Sequence, residues 1–301
     1  MSTKPSVVVV AGPTASGKTV LAASLAKVLK TEVVSFDARQ FYKELDIGVA
    51  RPTAEEMQGV PHHFIATHSI HHPLTAAEFG RQALPLIESI LRQKSLVVLV
   101  GGAGFYLDAL LHPLDPIPEP SPEARELARS MTLAQLQAYV QKKDPDYFQL
   151  VDPMNPARLA RAVEVMETTG KLFSEFLTGR NYKKFPFRYW VLMPAVEPTE
   201  LRMRIERRTR LMWQRGLVDE CRRLMPFRHL PLLRTVGYSE SFAFLEGSLT
   251  EEETLKAIMQ NTWQYARRQR TWFRNKTKAI PVPPDDVERL AIQVLTGNLT
   301  G

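Results

Sequence analysis

Cysteine is almost absent from this chain: Cys221 is the only one in 301 residues. That excludes a disulfide framework and a Cys-rich zinc site, and it fits a reducing, cytoplasmic setting. Long apolar runs are missing too. No stretch approaches the roughly 18 residues a transmembrane helix needs, so no membrane partner is expected. Met1 to Pro5 lead straight into a valine run without the basic and apolar regions of a leader, so no signal peptide is expected. Internal repeats and low-complexity tracts are also lacking. With 44% hydrophobic and 24% charged residues, the composition excludes a disordered chain and suits a globular one with a sizeable core.

Charge is present in both signs but unevenly. The formal net charge is +7. Residues 201–278 hold 17 Lys/Arg against 8 Asp/Glu, whereas 1–100 hold 10 against 8, 101–200 hold 11 against 13, and 279–301 hold 1 against 3. A basic block of this kind points to a polyanionic partner, or to a solvated helix surface; charge alone leaves both open.

The hydrophobic pattern alternates between strands and helices. Residues 6–11, 32–36 and 96–100 are short, β-branched, apolar runs of the type found in a sheet buried on both faces. Residues 17–29 and 73–93 carry helical patterns between them. This predicts an α/β fold with a parallel sheet in a three-layer core. The proline-dense stretch 114–122 reads as a linker. Helical signals follow: Ser121 before Pro122, the capping-box pair Thr132 and Gln135, and helical periodicity over 155–169. Residues 187–193 return to a strand pattern. The expected organisation is a core made of 1–115 and 187–301, interrupted by a small all-helical insertion over 116–186. Continuous basic helices are expected over 200–224 and 250–278, the second opened by the capping-box pair Thr250 and Glu253.

Gly12 to Thr19 reads G-P-T-A-S-G-K-T, a full match to the phosphate loop G-x-x-x-x-G-K-[ST], set between an apolar strand and a helix. Glycines let the backbone curl so that its amides face phosphate oxygens, and the helix N-terminus adds partial positive charge. Lys18 is expected to reach a terminal phosphate and the Thr19 hydroxyl to bind Mg²⁺. The loop implies a di- or triphosphate ligand without making it a nucleotide. An ATPase usually ends a second apolar strand in Asp, but residues 96–100 run into Gly101 and Gly102. The acid that ends a core-type strand is Asp37, suited to serve Mg²⁺, to act as a general base, or to cap a helix.

The chain resembles the bacterial tRNA dimethylallyltransferases. Besides the phosphate loop, the resemblance rests on D-A-R-Q-F-Y-K-E-L-D-I-G-V-A-R-P from Asp37, G-V-P-H-H from Gly59, and G-G-A-G-F-Y from Gly101. It continues through N-P-A-R-L-A-R-A-V-E-V from Asn155, R-I-E-R-R from Arg204 with M-W-Q-R-G-L, R-T-V-G-Y from Arg234, and R-R-Q-R-T-W-F-R from Arg267. These blocks run in order over most of the chain.

The resemblance implies an enzyme that moves a dimethylallyl group from dimethylallyl diphosphate to N6 of the adenosine 3′-adjacent to the anticodon. The tRNAs would be those reading codons that begin with U, and the enzyme a monomer using Mg²⁺. It makes Asp37 the general base, with Lys18, Thr19 and Arg208 stabilising the leaving diphosphate. It assigns the diphosphate to Gly12, Pro13, Thr14, Ala15, Ser16, Gly17, Lys18 and Thr19. It assigns the tRNA anticodon stem-loop to Asp37, Ala38, Arg39 and Gln40, to Ala103, and to Ala157, Arg158, Leu159, Ala160 and Arg161. To these it adds Arg234, Thr235, Val236, Gly237, Tyr238 and Ser239, and Arg267, Arg268, Gln269, Arg270, Thr271, Trp272, Phe273 and Arg274. Arginines beside Trp272 and Phe273 suit single-stranded RNA, whose bases stack on rings while phosphates meet cations; the same rings also suit the packed face of an amphipathic helix.

Two positions depart from the family pattern, each by loss of a hydroxyl: Ala38 stands for Ser and Ala103 for Thr. Trp263 stands where a basic residue is frequent. Five histidines between His62 and His72 lack the spacing and the cysteines of a zinc site. Read without the family, the same residues also fit a P-loop nucleoside or nucleotide kinase, or a basic RNA-binding protein with a degenerate loop. Within the family class, an enzyme prenylating free adenine nucleotide is the alternative.

Overall fold

The computed structural model describes residues 5–112, 115, 117–177, 185–283 and 286–299. Of the expected linker, residues 114 and 116 lie outside the described residues, as do 178–184 at the end of the expected insertion. The chain divides into two compact units, one of Met1–His112 with Lys184–Gly301, the other Pro113–Lys183.

The first unit begins with β1 (Ser6–Ala11), α1 (Lys18–Val28), β2 (Val33–Ser35), α2 (Ala54–Met57), β3 (His62–His63), α3 (Ala76–Lys94), β4 (Leu96–Gly101) and α4 (Gly104–Leu111). The second unit holds α5 (Pro122–Ser130), α6 (Leu133–Lys143), α7 (Pro145–Leu150) and α8 (Pro156–Thr169). Ser121 and the Thr132–Gln135 box cap α5 and α6 as their spacing predicts. Leu136, Val140, Leu159, Val163 and Phe173 give this unit its own apolar core.

The first unit resumes with β5 (Arg188–Pro194), α9 (Pro198–Gln214), α10 (Leu217–Leu224), α11 (Tyr238–Leu245), α12 (Glu251–Lys276), β6 (Ile280–Val282) and α13 (Val287–Thr296). The helix expected over 200–224 is two helices, because Gly216 takes φ 98°, a left-handed conformation that breaks the ladder at little cost only in glycine. Thr250 and Glu253 form the expected box at the start of α12.

Among the described residues the strands form one parallel sheet in the order β3-β2-β4-β1-β5-β6. Strand β1 lies inside it and alternates between two cores. Val8 and Val10 pack with Leu21 and Leu25 of α1 and Leu290 of α13. Val7 and Val9 face the opposite side with Phe79, Leu107, Ile258 and Phe273. This is the three-layer α/β architecture. All strands point the same way, so the loops after β1, β2 and β4 leave the sheet at one edge, where open α/β sheets bind ligands.

Candidate active site

The loop after β1 is shaped by local backbone choices. Gly17 takes φ 84° as it enters α1, and Ala15 takes φ 65° despite its Cβ. A non-glycine residue in that region stores about 1 kcal/mol or more of strain, and such strain collects at functional sites. The first amides of α1 have no intrahelical partner and face outward as donors. Thr14, Ala15, Gly17, Lys18 and Thr19 line a cleft of about 650 Å³ together with Asp37, Gln40, Arg204, Arg207 and Arg208. Ser16 is buried, with its Oγ unpaired, and does not line the cleft.

Asp37 follows β2 and starts a turn rather than capping a helix. Its amide donates to Ser35 Oγ at 3.2 Å and its Oδ1 accepts from the Arg39 amide at 3.4 Å. The Arg39 guanidinium donates to Thr235 Oγ1 at 3.2 Å and Val236 O at 3.0 Å, and lies 5.4 Å from the centre of the Tyr265 ring. Segments that are far apart in sequence, 37–40, 234–239 and α12, therefore meet around one arginine. A second, smaller pocket of about 50 Å³ lies there, lined by Arg39, Val236, Tyr265 and Gln269, and it shares Thr14, Asp37 and Arg208 with the large cleft. Asp37 thus stands on the wall common to both.

The cleft is electrostatically prepared for an anion. Burial pushes the Lys18 ammonium below its ordinary value; Asp37 opposes this, while Arg208 and Arg39 reinforce it. The Arg208 guanidinium is pushed down to about 10, by burial first and then by Arg39. It donates to Thr14 Oγ1 at 2.6 Å, which aims it at the phosphate loop. Arg204 and Arg207 also reach this cleft, although the motif reading singled out only Arg208. The signal was present: 204, 207, 208 and 211 share one helical face, and all four line the cleft.

The other expected residues divide. Arg234 and Ser239 are exposed and border a hollow with Arg228 and His229. Arg267, Arg268, Thr271 and half-buried Trp272 line another, while Arg270 and Arg274 are exposed. Phe273 and Tyr238 are fully buried, so these two serve packing. In the second unit Ala157 and Arg158 are exposed, Leu159 is buried in that unit's core, and Arg161 donates to Pro118 O at 3.0 Å. Ala103 is the N-cap of α4 and makes no side-chain cap. Ala38 is half-buried against the apolar core. Restoring both hydroxyls with Ala38→Ser and Ala103→Thr is expected to raise turnover; an unchanged rate would count against it. Ala103→Thr alone should add about 1 kcal/mol of stability in thermal unfolding by capping α4.

Glu220 has no counterpart in the sequence reading. It is 1% exposed and accepts from Ile47 N at 2.7 Å, Gly48 N at 3.1 Å and the Tyr238 hydroxyl at 2.6 Å. It fixes the turn that carries Val49 and Ala50 into both cavities. Burial and the neighbouring Glu220 push the Tyr238 phenol well up, so it stays a donor. Glu220→Ala leaves these donors unpaired and should lower stability by about 3 kcal/mol in urea unfolding. A loss under about 1 kcal/mol would show that water replaces the carboxylate.

A parallel sheet in a three-layer core, with a G-x-x-x-x-G-K-T loop at its carboxyl edge and the Asp37 turn beside it, defines a P-loop α/β protein. The family model described as IPP transferase matches residues 40–276, and the chain belongs to that family. It is 41% identical to a tRNA dimethylallyltransferase of Cytophaga hutchinsonii over 89% of both chains. It is 38% identical to tRNA dimethylallyltransferase 1 of Phocaeicola vulgatus over 92% of this chain and 94% of that one. The crystal structure of the tRNA isopentenylpyrophosphate transferase of Bacillus halodurans superposes with a TM-score of 0.70, at 32% identity, covering 98% of this chain and 95% of the other. No helix among the described residues is long and apolar enough to cross a membrane.

Proposed function

We propose that this protein transfers a dimethylallyl group from dimethylallyl diphosphate to N6 of the adenosine 3′-adjacent to the anticodon, in tRNAs reading codons that begin with U. The observation that carries this reading is the position of Asp37 on the wall shared by the two cavities. On one side stand Lys18 and Thr19; on the other stand Arg39, Tyr265 and the segments leading to the exposed arginines, and Arg208 shares the common wall with Asp37.

The N6 nitrogen attacks the allylic carbon, the carbon–oxygen bond breaks, and diphosphate leaves with the electron pair. Asp37 takes the proton lost by the amine. Lys18, Arg208 and the loop amides meet the negative charge that grows on the departing oxygen. The Thr19 hydroxyl, a hard oxygen donor on the cleft wall, would hold Mg²⁺ there. When bound, that ion would neutralise part of the diphosphate charge. An anticodon-loop base must leave its stack to reach Asp37.

The direct test is incubation with dimethylallyl diphosphate, Mg²⁺ and an anticodon stem-loop, followed by nucleoside mass analysis. Prenylated adenosine in the RNA is expected. Phosphoryl transfer from ATP to a nucleoside, with no prenylated product, would establish the kinase reading instead.

The exposed arginines of α12 separate an RNA acceptor from a free nucleotide. Changing Arg267, Arg268 and Arg270 together to alanine is expected to weaken stem-loop binding and reduce the salt slope by about 2, at roughly 0.7 per phosphate contact on single strands. Unaltered activity on tRNA at physiological salt would instead favour a free-nucleotide acceptor.

A further inference from the structure

Gln269 lies within the Arg-rich segment expected to bind RNA, yet its side chain faces the other way. The buried residues of α12 include Ile258, Thr262, Ala266, Gln269 and Phe273, which recur at helical spacing and form its inward stripe. Gln269 is 7% exposed. Its Oε1 accepts from the Thr14 amide at 2.9 Å, and its Nε2 donates to Gly102 O at 2.8 Å. One partner is in the loop after β1 and the other follows β4. A Cβ on Gly102 would fall 2.3 Å from that Nε2 and 3.3 Å from Gly12 O, so glycine is needed for the amide to sit between the two loops. Thr14 is therefore held twice, at its amide by Gln269 and at its hydroxyl by Arg208.

We infer that Gln269 is a positioning residue for the diphosphate, acting through Thr14, and not an RNA contact. Its chemistry is specific to the task. A primary amide both accepts and donates, so it ties an N–H of one loop to a C=O of another; a carboxylate lacks the donor, and Lys or Arg lacks the acceptor. Fixing the Thr14 amide orders the first half of the phosphate loop before any ligand arrives, including the strained Ala15. Ordering in advance tightens binding, because the ligand no longer has to impose it. The inference rests on the diphosphate assignment of the cleft, and the experiment separates the two.

The full-length protein is titrated calorimetrically with Mg²⁺-pyrophosphate and, separately, with an anticodon stem-loop. Wild type is compared with Gln269→Ala, Gln269→Met and Gln269→Glu; the methionine variant keeps the side-chain volume if alanine unfolds the chain. Loss of both hydrogen bonds should raise the pyrophosphate Kd about tenfold in the Ala and Met variants. The stem-loop Kd should stay within about twofold, since the guanidines of α12 still face outward. Gln269→Glu should rescue nothing, because its carboxylate faces the Gly102 carbonyl. In steady state, the KM for dimethylallyl diphosphate should rise more than kcat falls. The inference is overturned if stem-loop affinity falls while pyrophosphate affinity holds, if both fall together through displacement of α12, or if neither moves. Failure of wild type to bind pyrophosphate overturns the diphosphate assignment itself, and the inference with it.

Discussion

Asp37→Asn is expected to cut prenyl transfer by about 10³-fold, within the usual range for removing a general base. The substitution keeps the shape of the side chain and the acceptor for the Arg39 amide, so the turn after β2 should persist. What it removes is the capacity to take a proton at neutral pH. The attacking N6 amine must lose one as the new bond forms, and Asp37 is the acid on the wall that both cavities share. Pyrophosphate and stem-loop affinities should therefore change by no more than about threefold, while single-turnover transfer collapses. Transfer within about tenfold of wild type would show that the proton leaves by another route, and Asp37 would then be a positioning group.

Lys18→Met is expected to lower kcat/KM for dimethylallyl diphosphate by about 10²–10³, the scale of losing one charged stabiliser of a leaving group. Its effect on the empty protein has the opposite sign. Burial, with Arg208 and Arg39, depresses the Lys18 value below 10.5, so the folded state disfavours its charge. The sign of the linkage follows. Below the folded value the lysine is charged in both states and costs stability; as pH climbs toward 10.5 the folded state sheds the proton first and the cost disappears. Lys18→Met should consequently melt higher than wild type at pH 7, with the difference shrinking at alkaline pH. Added pyrophosphate should reverse the order, stabilising only wild type strongly. A lower melting temperature for the empty variant at neutral pH would mean that Asp37 compensates the lysine fully. Stability exchanged for anion binding is the expected pattern at such a site.

The parts of this molecule readable from sequence are those where local chemistry suffices. β1, β2 and β4 announce themselves as apolar β-branched runs, and the phosphate loop is a contiguous motif whose context strand and helix supply. The capping boxes at Thr132 and Thr250 need only four consecutive residues each. β3 and β6 were not legible, being two and three residues long and at the sheet edges, where no periodicity can accumulate. Gly216 interrupts what is otherwise one helical pattern, and only its φ reveals the break. Within the site, Asp37 and Lys18 were found because they sit at the ends of recognisable elements. Glu220 and the orientation of Gln269 were not, because each depends on a partner about 170 residues or more away in sequence. A segment rich in arginine hid one amide that points inward.

The order of the sheet also sets a timetable. Ser6 of β1 pairs with Leu96 on one side and Arg188 on the other, and the Thr14 amide meets Gln269. The phosphate loop leaves the ribosome before any of those partners, each of which is synthesised long afterwards. Contacts so distant in sequence form slowly, because chain closure must precede their reward. A nascent chain carrying the whole loop therefore lacks its finished anion cradle, and stalled or shortened chains that end before α12 should not sequester prenyl diphosphate.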